Sequence, residues 1–148
     1  TESIPFKLFD NTGKLVATRN ITVSDTSKTP LPTYSIVPNI TSGNESSTIV
    51  YTIKTTLVNN GTVLYWRNIG TTTAEDFEDG LMAGTVTIND NAATITRQLK
   101  ADRVRDGTGG RFTRSETVGL RLMTGSTTGP VVTGGIARSV TIADTSIA

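Results

Sequence analysis

The chain has 148 residues, a length that suits one domain of ordinary size with some length to spare. It contains neither cysteine nor histidine, which excludes disulfides, thiolate metal sites, thiol nucleophiles and the most common general base and zinc ligand. A net charge of +1 and the lack of a long apolar run predict that neither nucleic acid nor a membrane is a partner.

The chain is predicted to be all-β, because threonine, glycine, serine and asparagine abound and helical periodicity is missing. Residues 1–27 are predicted to form a β-hairpin around a turn at Asp10–Gly13. Alternate positions of both arms are apolar, and these positions form a predicted interface: Ile4, Phe6, Leu8, Ile21 and Val23. An isolated hairpin is unstable in water, so this apolar set needs a cover.

Three covers are consistent with the sequence: a half-domain preceding residue 1, the remainder of the same chain, or another subunit. The chain does not begin with methionine, so we expect it to be processed or to be part of a longer protein. Residues 28–33 contain Pro30 and Pro32, which favour extended backbone, and are predicted to be a linker and domain boundary.

Residues 34–148 are predicted to form a β-sandwich, because short alternating segments recur at spacings typical of that fold. Two segments are predicted to bury one face each, with the residues Ile49, Tyr51, Ile53 and Leu57 in one and Ala93, Ile95 and Leu99 in the other. The central unit is Thr62–Ile88, which holds the single tryptophan, Trp66, as a predicted core residue.

Between the two strands of this central unit lies an acidic loop, residues 74–80, with the sequence Ala-Glu-Asp-Phe-Glu-Asp-Gly. Phe77 is a predicted apolar anchor among four carboxylates. Because this is the densest acidic cluster of the chain, we expect any bound cation to lie there.

A glycine-rich loop from Lys100 to Arg114 carries a group of basic residues, which are Arg103, Arg105, Arg111 and Arg114. Arginine and flexible backbone suit an adaptable protein interface, so the loop is predicted to contact a neighbouring subunit. Binding of nucleic acid is the weaker interpretation, since no aromatic residues are interleaved and acidic residues lie alongside.

The two ends of the chain have similar sequences. Residues 2–8 match residues 116–122 in polarity except at the small fifth position, where Pro5 corresponds to Gly119. Residues 17–27 match residues 136–146, including an arginine and a terminal Asp-Thr-Ser. The match predicts that residues 1–27 are the closing hairpin of one repeat, followed by one whole repeat. The alternative is convergence of two threonine-rich hairpins by composition.

Several short motifs resemble the Calx-beta repeat, a β-sandwich module of sodium/calcium exchangers, bacterial surface proteins and marine phage structural proteins. The motifs are Asn44-Glu45, Gly70–Ala74 leading to Asp76-Phe77, Gly84–Ile88, Asp102, Ser115–Thr117 and Ile142–Asp144. The resemblance covers residues 34–146 and implies an Ig-like sandwich of seven strands in two antiparallel sheets.

The resemblance also implies a calcium site at one end of the sandwich, with the candidate ligands Glu45, Asp76, Asp102 and Asp144. Two arginines depart from the family pattern. Arg103 replaces a second aspartate, and Arg114 stands where glutamate and glycine are usual. Guanidinium groups repel a cation and pair with carboxylates, so the competing interpretation is a loop tied by arginine–carboxylate bridges, with no cofactor.

These observations predict a non-enzymatic structural protein on a virion or extracellular surface: a phage capsid decoration or fibre component. Its partners would be copies of itself or a major structural protein of the assembly. The alternative is a bacterial adhesin or filament subunit, stabilised by calcium. A third hypothesis is a carbohydrate-binding module that presents Tyr65 to host glycans. A glycosidase pair of Asp76 with Asp79 is rejected, because the sequence shows no cleft.

Overall fold

The computed structural model describes residues 1–101 and 115–145, and within them the regular structure is almost entirely β. The strands are β1 (Glu2–Phe9), β2 (Leu15–Val23), β3 (Thr33–Pro38), β4 (Ser42–Asn44), β5 (Thr48–Thr56), β6 (Thr62–Gly70), β7 (Ala83–Ile88), β8 (Ala92–Gln98), β9 (Ser115–Met123), β10 (Val131–Ile136) and β11 (Val140–Ala143). A 3-10 turn spans Ala74–Asp76. The described residues include no helix with the length and apolar character needed to cross a membrane.

The chain divides into two compact units, Thr1–Pro30 and Leu31–Ala148. In the first unit, β1 and β2 form an antiparallel hairpin in which Ile4 lies opposite Ile21. Residues on opposite strands that pair directly point to the same face of the sheet. Alternation therefore places Ile4, Phe6, Leu8, Ile21 and Val23 on one face, whereas Phe9 and Val16, next to the turn, alternate to the other face.

The second unit is a β-sandwich, which confirms the predicted fold class. One sheet has six strands in the order β4-β11-β9-β6-β7, with β10 also pairing with β9, and the other has three in the order β3-β5-β8. The described residues of this unit hold nine strands where seven were expected, because the three-residue β4 is an additional edge strand and the last segment forms two strands, β10 and β11. One pair, β4 with β11, is parallel.

The core lies between the two sheets and follows the period of two that the sequence shows. Ile49, Tyr51 and Ile53 of β5 face Leu64 and Trp66 of β6, and all five are buried. Because each strand contributes alternate residues, the outward positions stay polar or partly exposed.

The prediction that Leu57 extends the buried face of β5 is wrong. The strand ends at Thr56, and Leu57 takes a left-handed backbone conformation with φ of 58°. The turn rotates its side chain out of the pleat, so Leu57 is 64% exposed.

Raising the pH from 10 to 12 is expected to destabilise the sandwich through Tyr51. Its side chain is buried, and its hydroxyl donates to the carbonyl oxygen of Val118 at 3.4 Å. Burial raises the pKa of Tyr51 to about 12, although the charge of Arg97 opposes this shift. The unfolded value is about 10, so the stabilisation is complete below pH 10 and is lost as the pH rises through about 12.

Urea denaturation at pH 9 and pH 12 measures this loss. The free energy of unfolding should fall by about 1–2 kcal/mol more in the wild type than in Tyr51→Phe, which has no phenol to ionise. An equal fall in both proteins would show that Tyr51 does not couple folding to pH.

Candidate functional site

Arg97 lies in the core beneath the acidic loop. Its guanidinium carbon lies 3.9 Å from the ring centroid of Phe77 and 4.8 Å from that of Trp66. Nη1 donates to both carboxylate oxygens of Asp79, at 2.9 and 2.6 Å, and Nη2 donates to the carbonyl oxygen of Leu81. The side chain of Arg97 is 0% exposed, whereas that of Asp79 is 42% exposed.

The acidic loop stabilises the buried positive charge of Arg97 through the carboxylate of Asp79. Burial lowers the pKa of Arg97, and the carboxylate of Asp79 opposes that shift. An arginine remains charged under all ordinary conditions, so a buried guanidinium requires such a partner. At Asp79, the positive charge next to the acidic loop is therefore the guanidinium of Arg97.

Arg97 was not predicted as a core residue, although the sequence carries a signal for it. It stands between Ile95 and Leu99 in the same alternating series, which points all three side chains to the buried face. Its partner Asp79 lies on a different element, so the pairing is a tertiary feature that alternation alone does not show.

The acidic loop also joins the two sheets through its backbone. The N–H of Glu78 donates to the carbonyl oxygen of Gln98 at 3.0 Å, and the N–H of Lys100 donates to that of Asp76 at 2.9 Å. The carboxylate of Asp76 accepts from the N–H of Thr73 at 2.5 Å and caps the 3-10 turn. The loop follows β6 of the six-stranded sheet and is hydrogen-bonded to the end of β8 in the three-stranded sheet, so it links the two sheets.

Three of the four calcium candidates lie on loops at one end of the sandwich. Glu45 and Asp144 follow the parallel strands β4 and β11, and the hydroxyl of Thr145 donates to Glu45 Oε2 at 3.4 Å. The N–H of Ser46 donates to the carbonyl oxygen of Lys100, at 3.2 Å, and Lys100 is in turn bonded to Asp76.

These carboxylates do not form a recognisable metal cluster in the part of the chain that the structure describes, where no three acidic side chains are grouped to hold an ion. The fourth candidate, Asp102, lies outside the described residues, as do four predicted interface residues: Arg103, Arg105, Arg111 and Arg114. The calcium site and the basic contact loop therefore stay predictions.

The hairpin presents an extensive apolar surface. On its apolar face the exposed fractions are 51% for Ile4, 63% for Phe6, 56% for Leu8, 52% for Ile21 and 43% for Val23. The opposite face carries the polar residues Ser3, Lys7, Thr18 and Thr22, and the apolar residues Phe9 and Val16 lie on it only near the turn. Contiguous exposed apolar residues mark interaction surfaces in soluble proteins, so this face is the strongest candidate site.

The hairpin is shaped by its turn rather than by a core. The carboxylate of Asp10 accepts from the hydroxyl of Thr12 at 2.6 Å and from the N–H groups of Thr12 and Lys14 at 2.8 and 3.0 Å. These bonds, that from the Thr12 hydroxyl above all, hold the pKa of Asp10 below its ordinary value. Gly13 has a φ of 82°, which completes the reversal of the chain.

Trp66 is 6% exposed and packs on Arg97, which confirms it as a core residue. Tyr65, the residue predicted to be presented to a glycan, is half-buried.

Comparisons of the chain with protein-family models, with curated proteins and with solved structures yield no match. The Calx-beta resemblance therefore rests on the short sequence motifs.

Proposed function

We propose that the protein is a non-enzymatic structural module that joins a larger surface assembly through its β1–β2 hairpin. The observation that carries this proposal is the exposed apolar face of that hairpin, which belongs to a compact unit of its own. A sheet face of this composition is stable in water only when another surface covers it.

The assembly we favour is a virion, in which the protein would be a capsid decoration or fibre component. The motifs similar to Calx-beta repeats support this choice, because such modules occur in phage structural proteins. The chain has no histidine or cysteine, which suits a structural role better than a catalytic one. The acidic loop supports the same choice, because its Asp79 is paired with the buried Arg97.

Deleting Thr1–Ser27 is expected to leave the sandwich folded and to abolish its attachment to the assembly. The free energy of unfolding of the remaining unit should change by less than about 0.5 kcal/mol, because its core lies between its own sheets. Urea denaturation followed by Trp66 fluorescence measures the first effect, and co-sedimentation with the assembly from the native host measures the second.

Two paired variants separate the apolar face from the hairpin as a whole. Ile4→Ser with Phe6→Ser changes the apolar face and should abolish attachment, whereas Ser3→Ala with Lys7→Ala changes the opposite face and should preserve it. Normal attachment of the truncated protein would rule out a docking role for the hairpin.

A bacterial adhesin or filament subunit is the second candidate, favoured by the position of Glu45, Asp76 and Asp144 at one end of the sandwich. For that function, calcium binding to the folded state raises the melting temperature, and Asp76→Asn removes the rise. For the virion component we expect equal melting temperatures in calcium and in chelator. Differential scanning calorimetry distinguishes the two.

A further inference from the structure

We infer that the β1–β2 hairpin is the closing strand pair of a second sandwich with the same strand topology as β3 to β11. This inference rests on the proposed function and names its partner: a half-sandwich that presents a three-stranded apolar sheet and lacks its own closing strands. The half-sandwich lies either in the same polypeptide or in another subunit, and the surface it offers is the same in both cases.

The strand register carries the inference. In the hairpin, Glu2 lies opposite Val23, Ser3 opposite Thr22 and Ile4 opposite Ile21. The residues that match them in sequence pair in the same way in the sandwich, where the partners are Glu116 with Ile142, Thr117 with Thr141 and Val118 with Val140. Similar composition alone does not fix a register, because a slip by one residue would reverse every side chain.

The burial of the matching residues shows what the hairpin lacks. Val118, Leu120 and Leu122 of β9 are 0% exposed, and Val140 and Ile142 of β11 are 0% and 3% exposed. They share a hydrophobic core with residues of the three-stranded sheet β3-β5-β8. Their counterparts in the hairpin are 43–63% exposed.

In the second unit, as far as residues 31–101 and 115–145 describe it, β9 and β11 already occupy the closing position between β6 and β4. The hairpin therefore closes a different sandwich. By the same topology, the outer edge of β1 would meet a strand equivalent to β6, and the outer edge of β2 would meet one equivalent to β4.

Pro5 specifies the partner further. In β9 the carbonyl of Thr117 accepts from Thr71 beyond the end of β6, and the carbonyl of Leu120 accepts from Ala137 on the other side. Because backbone groups alternate in direction along a strand, the N–H of Gly119 points towards β6. Pro5 corresponds to Gly119 and has no N–H, so the edge of β1 that would face the partner strand has one hydrogen-bond donor fewer. A Cβ at Gly119 would lie 2.9 Å from Ile69, so the partner strand needs a smaller residue opposite Pro5.

A fusion tests the inference with the full chain intact. A second copy of residues 31–101, carrying Ile69→Ala to make room for the Pro5 ring, is placed before Thr1 through a flexible linker as long as residues 102–114. Because the added copy contains β3 to β8 without β9 to β11, it has the proposed vacancy. The matched control is the same fusion with Ile4→Ser and Ile21→Ser in the hairpin.

Hydrogen exchange followed by mass spectrometry is the measurement. We expect the amides of Glu2–Val23 and of the added copy to exchange about tenfold or more slowly in the fusion than in its control. An added copy that stays unfolded or aggregates, with hairpin exchange equal to that of the unfused chain, would overturn the inference. Cleavage of the linker after folding distinguishes the sources, since retention of the added copy shows that a separate subunit suffices.

The fusion and the deletion of Thr1–Ser27 test the two proposals independently. If the deletion abolishes attachment and the fusion gives no protection, the assembly role stands and the closing of a second sandwich is wrong. If the fusion protects the hairpin and the deleted protein still attaches, the assembly role through this hairpin is wrong.

Discussion

Replacing Asp79 with asparagine is expected to lower the free energy of unfolding by about 2–3 kcal/mol. The substitution leaves the guanidinium of Arg97, whose side chain is 0% exposed, without a negative partner. Removing one member of a buried ion pair typically costs about 3–5 kcal/mol. The expected cost lies just below that range because Asp79 is itself 42% exposed and because Leu81 still accepts from Arg97.

The measurement is urea denaturation with Trp66 fluorescence, which reports directly on this site because the indole ring contacts the guanidinium. Glu78→Gln is the matched control: it removes an exposed carboxylate one residue away and should change stability by less than about 0.5 kcal/mol. Equal effects of the two substitutions would show that Asp79 does not stabilise the buried charge.

A double-mutant cycle extends the test. Arg97→Met keeps an apolar stem between Phe77 and Trp66 while it removes the charge, so it should cost less than Asp79→Asn. With methionine in place, the further change of Asp79 should have little effect, since no buried charge remains to be neutralised. Additive effects would contradict the coupling.

Replacing Gly70 with alanine is expected to cost about 3–4 kcal/mol, among the largest effects of a single methyl group in this protein. Gly70 ends β6 with a φ of 115°, a conformation that side chains strongly disfavour. An added Cβ would overlap the carbonyl oxygen of Thr117, which accepts from the N–H of Thr71 at 3.0 Å and the hydroxyl of Thr72 at 3.2 Å. The segment that leads from β6 into the acidic loop would lose these two hydrogen bonds to β9.

Gly61→Ala provides the matched control. Gly61 also has a positive φ, of 84°, but an added Cβ meets no atom within 4 Å. Its substitution should therefore cost only the conformational penalty of about 1–2 kcal/mol. Thermal unfolding of both variants measures the difference, and similar melting temperatures would show that the close approach to Thr117 is not a constraint.

Much of the fold could be predicted from alternation, because side-chain direction in a strand depends only on position. This is why the burial of Tyr51, Trp66 and Ile95 and the apolar face of the hairpin were anticipated. Strand ends were less predictable, since Leu57 continues the pattern while its backbone leaves the sheet.

The remaining misses depend on tertiary partners. The three-residue strand β4 is too short to show a period, and it exists because β11 pairs with it. Arg97 was not predicted as a core residue, because a charged side chain is buried only with a partner, and its partners Asp79, Phe77 and Trp66 lie on other elements. The register match between β1–β2 and β9–β11 required coordinates, since sequence similarity predicts a repeat but no pairing.

Thiol reactivity tests most directly whether the apolar face of β1–β2 is an association surface. The chain has no cysteine, so Phe6→Cys and Lys7→Cys each introduce a single thiol on opposite faces of β1. In the free protein we expect both thiols to react at similar rates, because both positions are exposed. In the native assembly, Cys at position 6 should be protected while Cys at position 7 remains reactive. Equal reactivity of the two positions after assembly would contradict a docking role for this face.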